Sequence, residues 1–434
     1  MPGVILMPRA FLPSLIIYAL LLAGLITRNG AVLALSLIFV VYVFIGLLRA
    51  PRKIHLEINR ELSASRVTGD MPVEVTLTVT NTGPVLEEVW IEDNLPPQLA
   101  LLDGAPGHLL RLPAGETVTW NYTIQGTRGT YSFSQIHTEA RETFGLIRTA
   151  RDYPTSGQLF VLPPVLRIKD ILIRPRRTRV YSGIVPARTG GLGVEFFGVR
   201  EYRPGDSPHW INWRANARHP EKLFSNEFEQ ERVTEVGIVL DVRMRTNLFT
   251  GGYSIFEHSA LAAAALADVF LSQGNHVGLL LYGQALQWTL PGYGKMQRER
   301  ILRALAQAQP GDSQVFADLN YIPTRLFPTH SQIVLVSPLT NDDAEMLLKL
   351  RARGYPVMVI SPDPVSFEAS FLPRQPEVEL ARRVMRMKRH LMLQGLQRAG
   401  IQLLDWEVSQ PFDQVMRRGL GRPPFWRQMV RGSS

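Results

Sequence analysis

Two unbroken apolar runs open the chain. Ala10 to Ile26 and Ala31 to Leu48 carry no charge and are split by Thr27-Arg28-Asn29-Gly30. Their 17 and 18 residues approach the roughly 20 that cross a hydrocarbon core of about 30 Å. The pattern predicts a helical hairpin, which satisfies its own backbone in lipid. The second run, and the lack of a small-x-small site after the first, argue against a cleaved signal peptide. From 53 to 165 the period changes to two. VEVTLTVTNTGPVLEEVWIEDNLP reads as strand, Asn-Thr-Gly-Pro turn, strand, and TVTWNYTIQGTRGTYSFSQIHTEA repeats the pattern around Gly126 and Gly129. An immunoglobulin-like β-sandwich is expected, with Trp120, Tyr122 and Tyr131 in or near its core.

After Val233 the text alternates strand and helix. Glu235 to Leu240 and His276 to Tyr282 are nearly continuous apolar runs, as in parallel strands covered on both faces. Gln332 to Val336, Val357 to Ile360 and Ile401 to Leu404 follow. Helices are predicted at Ser254 to Leu271, across NDDAEMLLKLRARG, and at Val378 to Gln397. This is a doubly wound α/β sheet, whose ligands sit at the carboxyl ends of its strands. The loops after Leu240, Tyr282 and Val336 are the expected rim. The organisation is therefore multi-domain. A membrane hairpin spans 1–52, a β-sandwich 53–165, a linker with a charged clamp 166–232, an α/β domain 233–415 and a basic tail 416–434.

Composition adds exclusions. The chain of 434 residues has no cysteine, so disulfides, thiol catalysis and Cys-based zinc sites are out. Its formal charge is +9. Between Phe371 and Ser434 twelve Lys/Arg stand against five Asp/Glu, a segment suited to anionic lipid or an acidic protein face, or simply a solvated helix. Arg9, Arg49, Arg52 and Lys53 flank the hairpin, against Arg28 in its turn. The positive-inside bias puts both ends and all soluble mass in the cytoplasm, at the plasma (inner) membrane. Walker A, His-Glu-x-x-His and Gly-x-Ser-x-Gly motifs are absent, and Gly190-Gly191-Leu192-Gly193 lacks the strand-to-helix setting of a dinucleotide loop. No cofactor and no specific nucleic acid are expected.

The densest chemistry lies in GGLGVEFFGVREYRPGDSPHWINWRANAR, Gly190 to Arg218. Glu195, Glu201 and Asp206 interleave with Arg200, Arg203, Arg214 and Arg218. Pro204-Gly205-Asp206 reads as a turn with Asp206 capping the next helix. On that helix Trp210, Trp213 and Ala217 would share one face and Arg214 and Arg218 another. The expectation is a structural clamp of ion pairs, with Glu195, Glu201 and Glu229 as partners for the arginines, or else an interaction surface.

These motifs carry a resemblance. Gly193-Val194-Glu195-Phe196, Arg200-Glu201-Tyr202, Pro204-Gly205-Asp206, Ile211-Asn212-Trp213 and Ala217-Arg218, ahead of a strand ending at Asp241, resemble the bacterial family called domain of unknown function 58. The resemblance extends over the chain except its last twenty or so residues. The family usually has arginine where His209 or Trp210 stands here. The α/β part resembles a von Willebrand factor A domain. Such domains often bind Mg²⁺ through Asp-x-Ser-x-Ser, a Thr and an Asp, all hard oxygen ligands. Here Asp241-Val242-Arg243-Met244-Arg245 has arginines for both serines. The third-loop position is Ser337 or Pro338, and the loop near Gly311-Asp312-Ser313 shows no clear Thr. A guanidinium has no lone pair for a cation. The metal site is expected to be degenerate, with Arg243 or Arg245 in the ion's place beside Asp241. The resemblance implies a non-enzymatic, membrane-anchored partner of MoxR-type AAA+ ATPases in complex assembly or maturation. The alternative is a hydrolase using Glu195, Asp206 and Asp241.

Overall fold

The computed structural model describes the chain except residues 1–2, 7, 50–53, 142–146, 167, 169–178, 220, 234, 284, 314, 317–318, 320–321, 329–330, 374 and 421–434. It divides into two units, Met1–Leu162 and Pro163–Ser434.

The first unit begins with an apolar helix pair, Pro8–Thr27 and Gly30–Arg49. Arg28, in the turn, takes a positive φ of 52°. Gly30–Leu48 is long and apolar enough to cross a membrane, and Phe11–Thr27 is a shorter apolar helix. A signal sequence meets the same criterion. A β-rich region follows. One sheet orders Ile147–Leu162, Gly129–Arg141, Leu86–Asp93 and Gly107–Leu112; the other orders Leu56–Leu62, Val73–Asn81, Thr117–Gly126 and Leu99–Gly104. Alternation decides which side chains face inward. Val73, Val75, Leu77 and Val79 are all buried, and the residues between them are not. Both sheets contribute to one apolar core, which includes Tyr122, Tyr131 and Phe133, with Trp120 packed at its margin. That core also contains a buried charge pair. Arg60 contacts Asp93 at 2.8 and 2.5 Å, and the Tyr122 hydroxyl donates to Asp93 at 2.6 Å. Burial, then Asp93, pushes the phenol pKa of Tyr122 well up.

The second unit holds a mixed α/β domain with a largely parallel sheet. Its strands are ordered Leu286–Gly292, His276–Tyr282, Glu235–Asp241, Gln332–Val336, Val357–Pro362 and Gln402–Trp406. Neighbours are parallel except Leu286–Gly292, which runs antiparallel along His276–Tyr282. That edge strand has no alternating buried face, so apolar periodicity does not predict it. Chain order reverses between Glu235–Asp241 and Gln332–Val336. Such a reversal opens a crevice at the carboxyl ends of the two strands. The helix Ile255–Ser272 is long and apolar enough to cross a membrane, yet it is mostly buried and serves as a core helix. Ser254 starts it, its hydroxyl accepting from the Phe256 N–H. Gly237 is required by close approach: a Cβ there would meet the Phe327 ring at 2.3 Å. In the region expected as linker and clamp, Arg179–Glu201 pairs antiparallel with Phe224–Val233.

Candidate functional site

The carboxyl end of the Glu235–Asp241 strand delivers Asp241 to the switch point, fully buried. Two residues on, Arg243 turns back and lies 2% exposed among carboxylates. Its Nε donates to Asp241 Oδ1 at 2.9 Å and its Nη2 to Asp241 Oδ2 at 2.8 Å. Its Nη1 and Nη2 also reach Asp343 Oδ1 and Oδ2, both at 3.0 Å. The Arg243 backbone N–H donates to Asp241 Oδ1 at 3.0 Å, and Ser337 Oγ donates to Asp241 Oδ2 at 2.7 Å. Asp343 Oδ2 further accepts from the Thr340 N–H and hydroxyl at 2.8 and 2.9 Å. Burial works against the Arg243 charge. Hydrogen bonds and the field of Asp241, with those of Asp343, outweigh it and hold the guanidinium pKa above its ordinary value.

Three loops are tied together here. The Gly311 N–H donates to Val242 O at 2.9 Å, and the Met244 N–H to Gly311 O at 3.3 Å. Asn247 donates to the carbonyls of Asp241 and Arg243. Each oxygen of both carboxylates accepts at least one donor, and the guanidinium has no lone pair to offer. What the arrangement does is tie the three strand-end loops together. Arg245 stays at the rim, 4.0 Å from Asp343. The sequence reading singled out Asp241, Arg243, Arg245 and Ser337 but missed Asp343, which lies a hundred positions from Arg243. Its only local signal is its place in the first turn of the Asp343–Ala352 helix.

A second buried arginine was also missed. Arg389, on the Pro376–Arg398 helix, reaches Asp405 at 2.7 Å, Asp363 at 3.3 Å, Ser361 Oγ at 2.9 Å and the Pro338 carbonyl at 2.8 Å. It ties together the carboxyl ends of the last three strands. Beside it opens a cleft of about 1230 Å³, lined by Tyr253, His258, Phe367, Arg382, Arg386 and Glu407 among others. His258 lies edge-on to Phe367 and Trp406, and burial lowers its pKa.

The clamp is organised differently from its sequence expectation. Arg200 forks onto Asp206 at 2.7 and 2.8 Å and stands 3.6 Å from Glu227. The hydrogen bond from Arg200, then that from the Arg203 N–H, holds the Asp206 pKa below the usual carboxylate value. Asp206 therefore closes the Arg203-Pro204-Gly205 turn and caps no helix. Asn212 caps the Trp213–Arg218 helix, accepting from the Ala215 N–H at 3.0 Å. Trp210 sits in a separate 3-10 turn, Pro208–Trp210, and the extended backbone of Ile211 breaks the register. Trp210 and Trp213 so share no helical face. The six-residue helix buries nothing, and Trp213 is 71% exposed. Glu201 pairs with Lys222 in solvent, not with an arginine. Arg214 and Arg218 are exposed, with no ion pair among the described residues. The Glu195 and Glu229 side chains lie outside the described residues.

Residues 198–382 match the family described as "Protein of unknown function DUF58". "Uncharacterized protein YeaD" of Bacillus subtilis (strain 168) is 26% identical over 275 residues, covering 62% of this chain and 66% of the relative. "Uncharacterized protein Rv1480" of Mycobacterium tuberculosis is 27% identical over 163 residues, 36% of this chain and 50% of the relative. The chain thus spans half to about two-thirds of the curated relatives it matches. Among solved structures, a FixG-related protein from Vibrio parahaemolyticus aligns with 24% of this chain and 95% of its own, at 8% identity and a TM-score of 0.17, too low to carry an argument. The family match takes in the Arg200–Asp206 turn, the arginine-filled switch point and the start of the Pro376–Arg398 helix. Over these residues the chain matches the DUF58 family model, and it is similar to the uncharacterized YeaD protein.

Proposed function

We propose that this is a membrane-anchored, non-enzymatic interaction protein. In this reading the N-terminal helix pair is a transmembrane hairpin and the β-rich region is an immunoglobulin-like sandwich. The α/β domain is a von Willebrand factor A-like domain facing the cytoplasm, and its partner is a MoxR-type AAA+ ATPase acting in complex assembly or maturation. The observation that carries it is Arg243, buried between Asp241 and Asp343. A von Willebrand factor A domain of the metal-binding kind would hold its ion there. A fixed guanidinium substitutes one permanent positive charge for an exchangeable one and makes the strand-end loops rigid without a metal. The strand order, with its antiparallel edge, supports the same reading. The hydrolase alternative needs carboxylates free to act, and Asp206 and Asp241 are both held by guanidinium groups. Affinity capture of the detergent-solubilised full chain from its native host tests the proposal. A AAA+ ATPase should co-purify in stoichiometric amount. Its absence, or hydrolase activity lost in Asp241→Asn with the fold intact, sinks it.

A further inference from the structure

The Pro376–Arg398 helix buries one face and leaves the opposite one bare. Arg389, Leu393 and Leu396 are buried. Half a turn around at 100° per residue lie Leu380, Val384, Met387 and Leu391, spaced i, i+4, i+7, i+11. They are 64%, 47%, 67% and 59% exposed. Scattered exposed apolar residues need no explanation, but a row of four on one line does. The same helix is flanked by positive charge. Arg383 and Lys388 carry it, one on either side of the row, and both are exposed; His390 extends the Arg383 side.

We propose that this row is a docking seam for an amphipathic helix of a partner protein whose own flanking residues are acidic. The inference rests on the interaction reading above and says where on the domain the partner sits. Two observations select the occupant. The first is width. The row is a single line with two apolar residues per seven, the a/d pattern that accepts knobs from a facing helix. A helix lying in a bilayer interface presents a broad apolar face instead. The second is charge. In heptad terms Leu380 and Met387 are d, and Val384 and Leu391 are a. Arg383 and His390 are then g, and Lys388 is e. A second copy of this helix, in either direction, would set basic positions against basic positions. The chain's own end from residue 421 fails on the same ground, since it has Arg422, Arg427 and Arg431 and no acid. A helix with Glu or Asp at e and g complements the seam on both sides. Glu379 already models the contact, meeting Arg383 at 3.5 Å from the preceding turn while leaving that arginine largely exposed.

The test uses the full chain in nanodiscs of zwitterionic lipid and two fluorescein-labelled synthetic helices of three heptads. Both carry Leu at a and d; one has Glu at e and g, the other Lys. Fluorescence anisotropy should show the Glu helix binding about tenfold or more tighter than the Lys helix. Met387→Glu should abolish binding. Arg383→Glu with Lys388→Glu should reverse the preference between the two helices. These are surface positions, and unchanged circular dichroism and melting verify that the variants fold. Equal binding of both helices, binding of neither, or full affinity in Met387→Glu overturns the proposal. Self-association that Met387→Glu removes would assign the seam to a second copy instead. Because the chain has no cysteine, Met387→Cys takes one environment-sensitive dye. A blue-shifted emission in anionic nanodiscs without any peptide would assign the seam to the bilayer and overturn the proposal as well. Retention of the chain in nanodiscs and capture of an ATPase are separate readouts, so the seam and the broader reading fail independently.

Discussion

Arg243 keeps two buried carboxylates from facing each other unpaired. Removing it should therefore be costly. Arg243→Ala leaves Asp241 and Asp343 as adjacent buried anions, and the loss should be about 3–5 kcal/mol, read as a large fall in melting temperature of the full chain in detergent. Arg243→Ser is more diagnostic, because it restores Asp-x-Ser and leaves Asp241, Asp343 and Ser337 as oxygen ligands around the space vacated. Millimolar Mg²⁺ should raise the melting temperature of Arg243→Ser and leave the parent protein unmoved. A parent protein that gives a single-site Mg²⁺ isotherm abolished by Asp241→Ala would overturn the arginine-for-metal reading. His258 makes a pH prediction. Its folded pKa lies below the ordinary imidazole value of about 6.5, so the unfolded chain takes up the proton first as pH falls. The neutral ring's contribution is full above that value and is lost as pH drops from it toward the folded pKa. Melting from pH 7 to 5.5 should fall less in His258→Phe than in the parent. Equal slopes would remove His258 from the account. Residue-scale chemistry was legible where partners are close in sequence or where the family resemblance pointed to a loop, as for Ser337. Asp241 and Arg243 are two apart, and the missing serines point straight at them. Asp343 and the Arg389 hub are partnered through the fold, and nothing local names their partners.

Among elements, burial decides which ion pairs matter. Arg60 and Asp93 join strands from two different sheets, with side chains 1% and 0% exposed, and Tyr122 closes the triad. Truncating one member strands the others. Arg60→Ala should cost about 3–5 kcal/mol, and Tyr122→Phe less, since it removes one neutral donor to Asp93 and leaves the ion pair standing. The clamp should behave oppositely. Glu201 and Lys222 are both more than half exposed. Glu201→Ala should cost about 0–1 kcal/mol, and Arg214→Ala should melt like the parent. A multi-kilocalorie loss in either clamp variant would show a buried contact that the geometry lacks. The elements that sequence foretold are those with an unbroken apolar run, such as the buried Glu235–Asp241 and Gln332–Val336 strands, or with a long helical pattern, such as Pro376–Arg398. The Trp213–Arg218 helix was placed but misread. An i, i+3, i+7 face presumes two full turns, and the extended backbone at Ile211 and the cap at Asn212 allow fewer.

At the scale of the whole molecule, the proposed membrane anchor makes a prediction about orientation. The proposed hairpin has Arg28 at its turn and Arg9, Arg49, Arg52 and Lys53 at its ends. The proposed orientation, with both ends at the cytoplasmic leaflet, follows from that asymmetry by the positive-inside bias. The proposed ATPase partner depends on the same side, since it needs cytoplasmic nucleotide. External protease added to intact spheroplasts should leave the β-rich region and the α/β domain uncut, and lysis should expose both. Arg28 gives an internal check. Adding three lysines at the Arg28 turn while replacing Arg49, Arg52 and Lys53 with Gln should invert the charge bias and bring the β-rich region within reach of the external protease. Digestion of the parent chain in intact spheroplasts would overturn the orientation and, with it, the cytoplasmic partner. Release of the soluble units by alkaline carbonate would separately show that the apolar helices are no longer holding the chain, as after removal of a signal sequence.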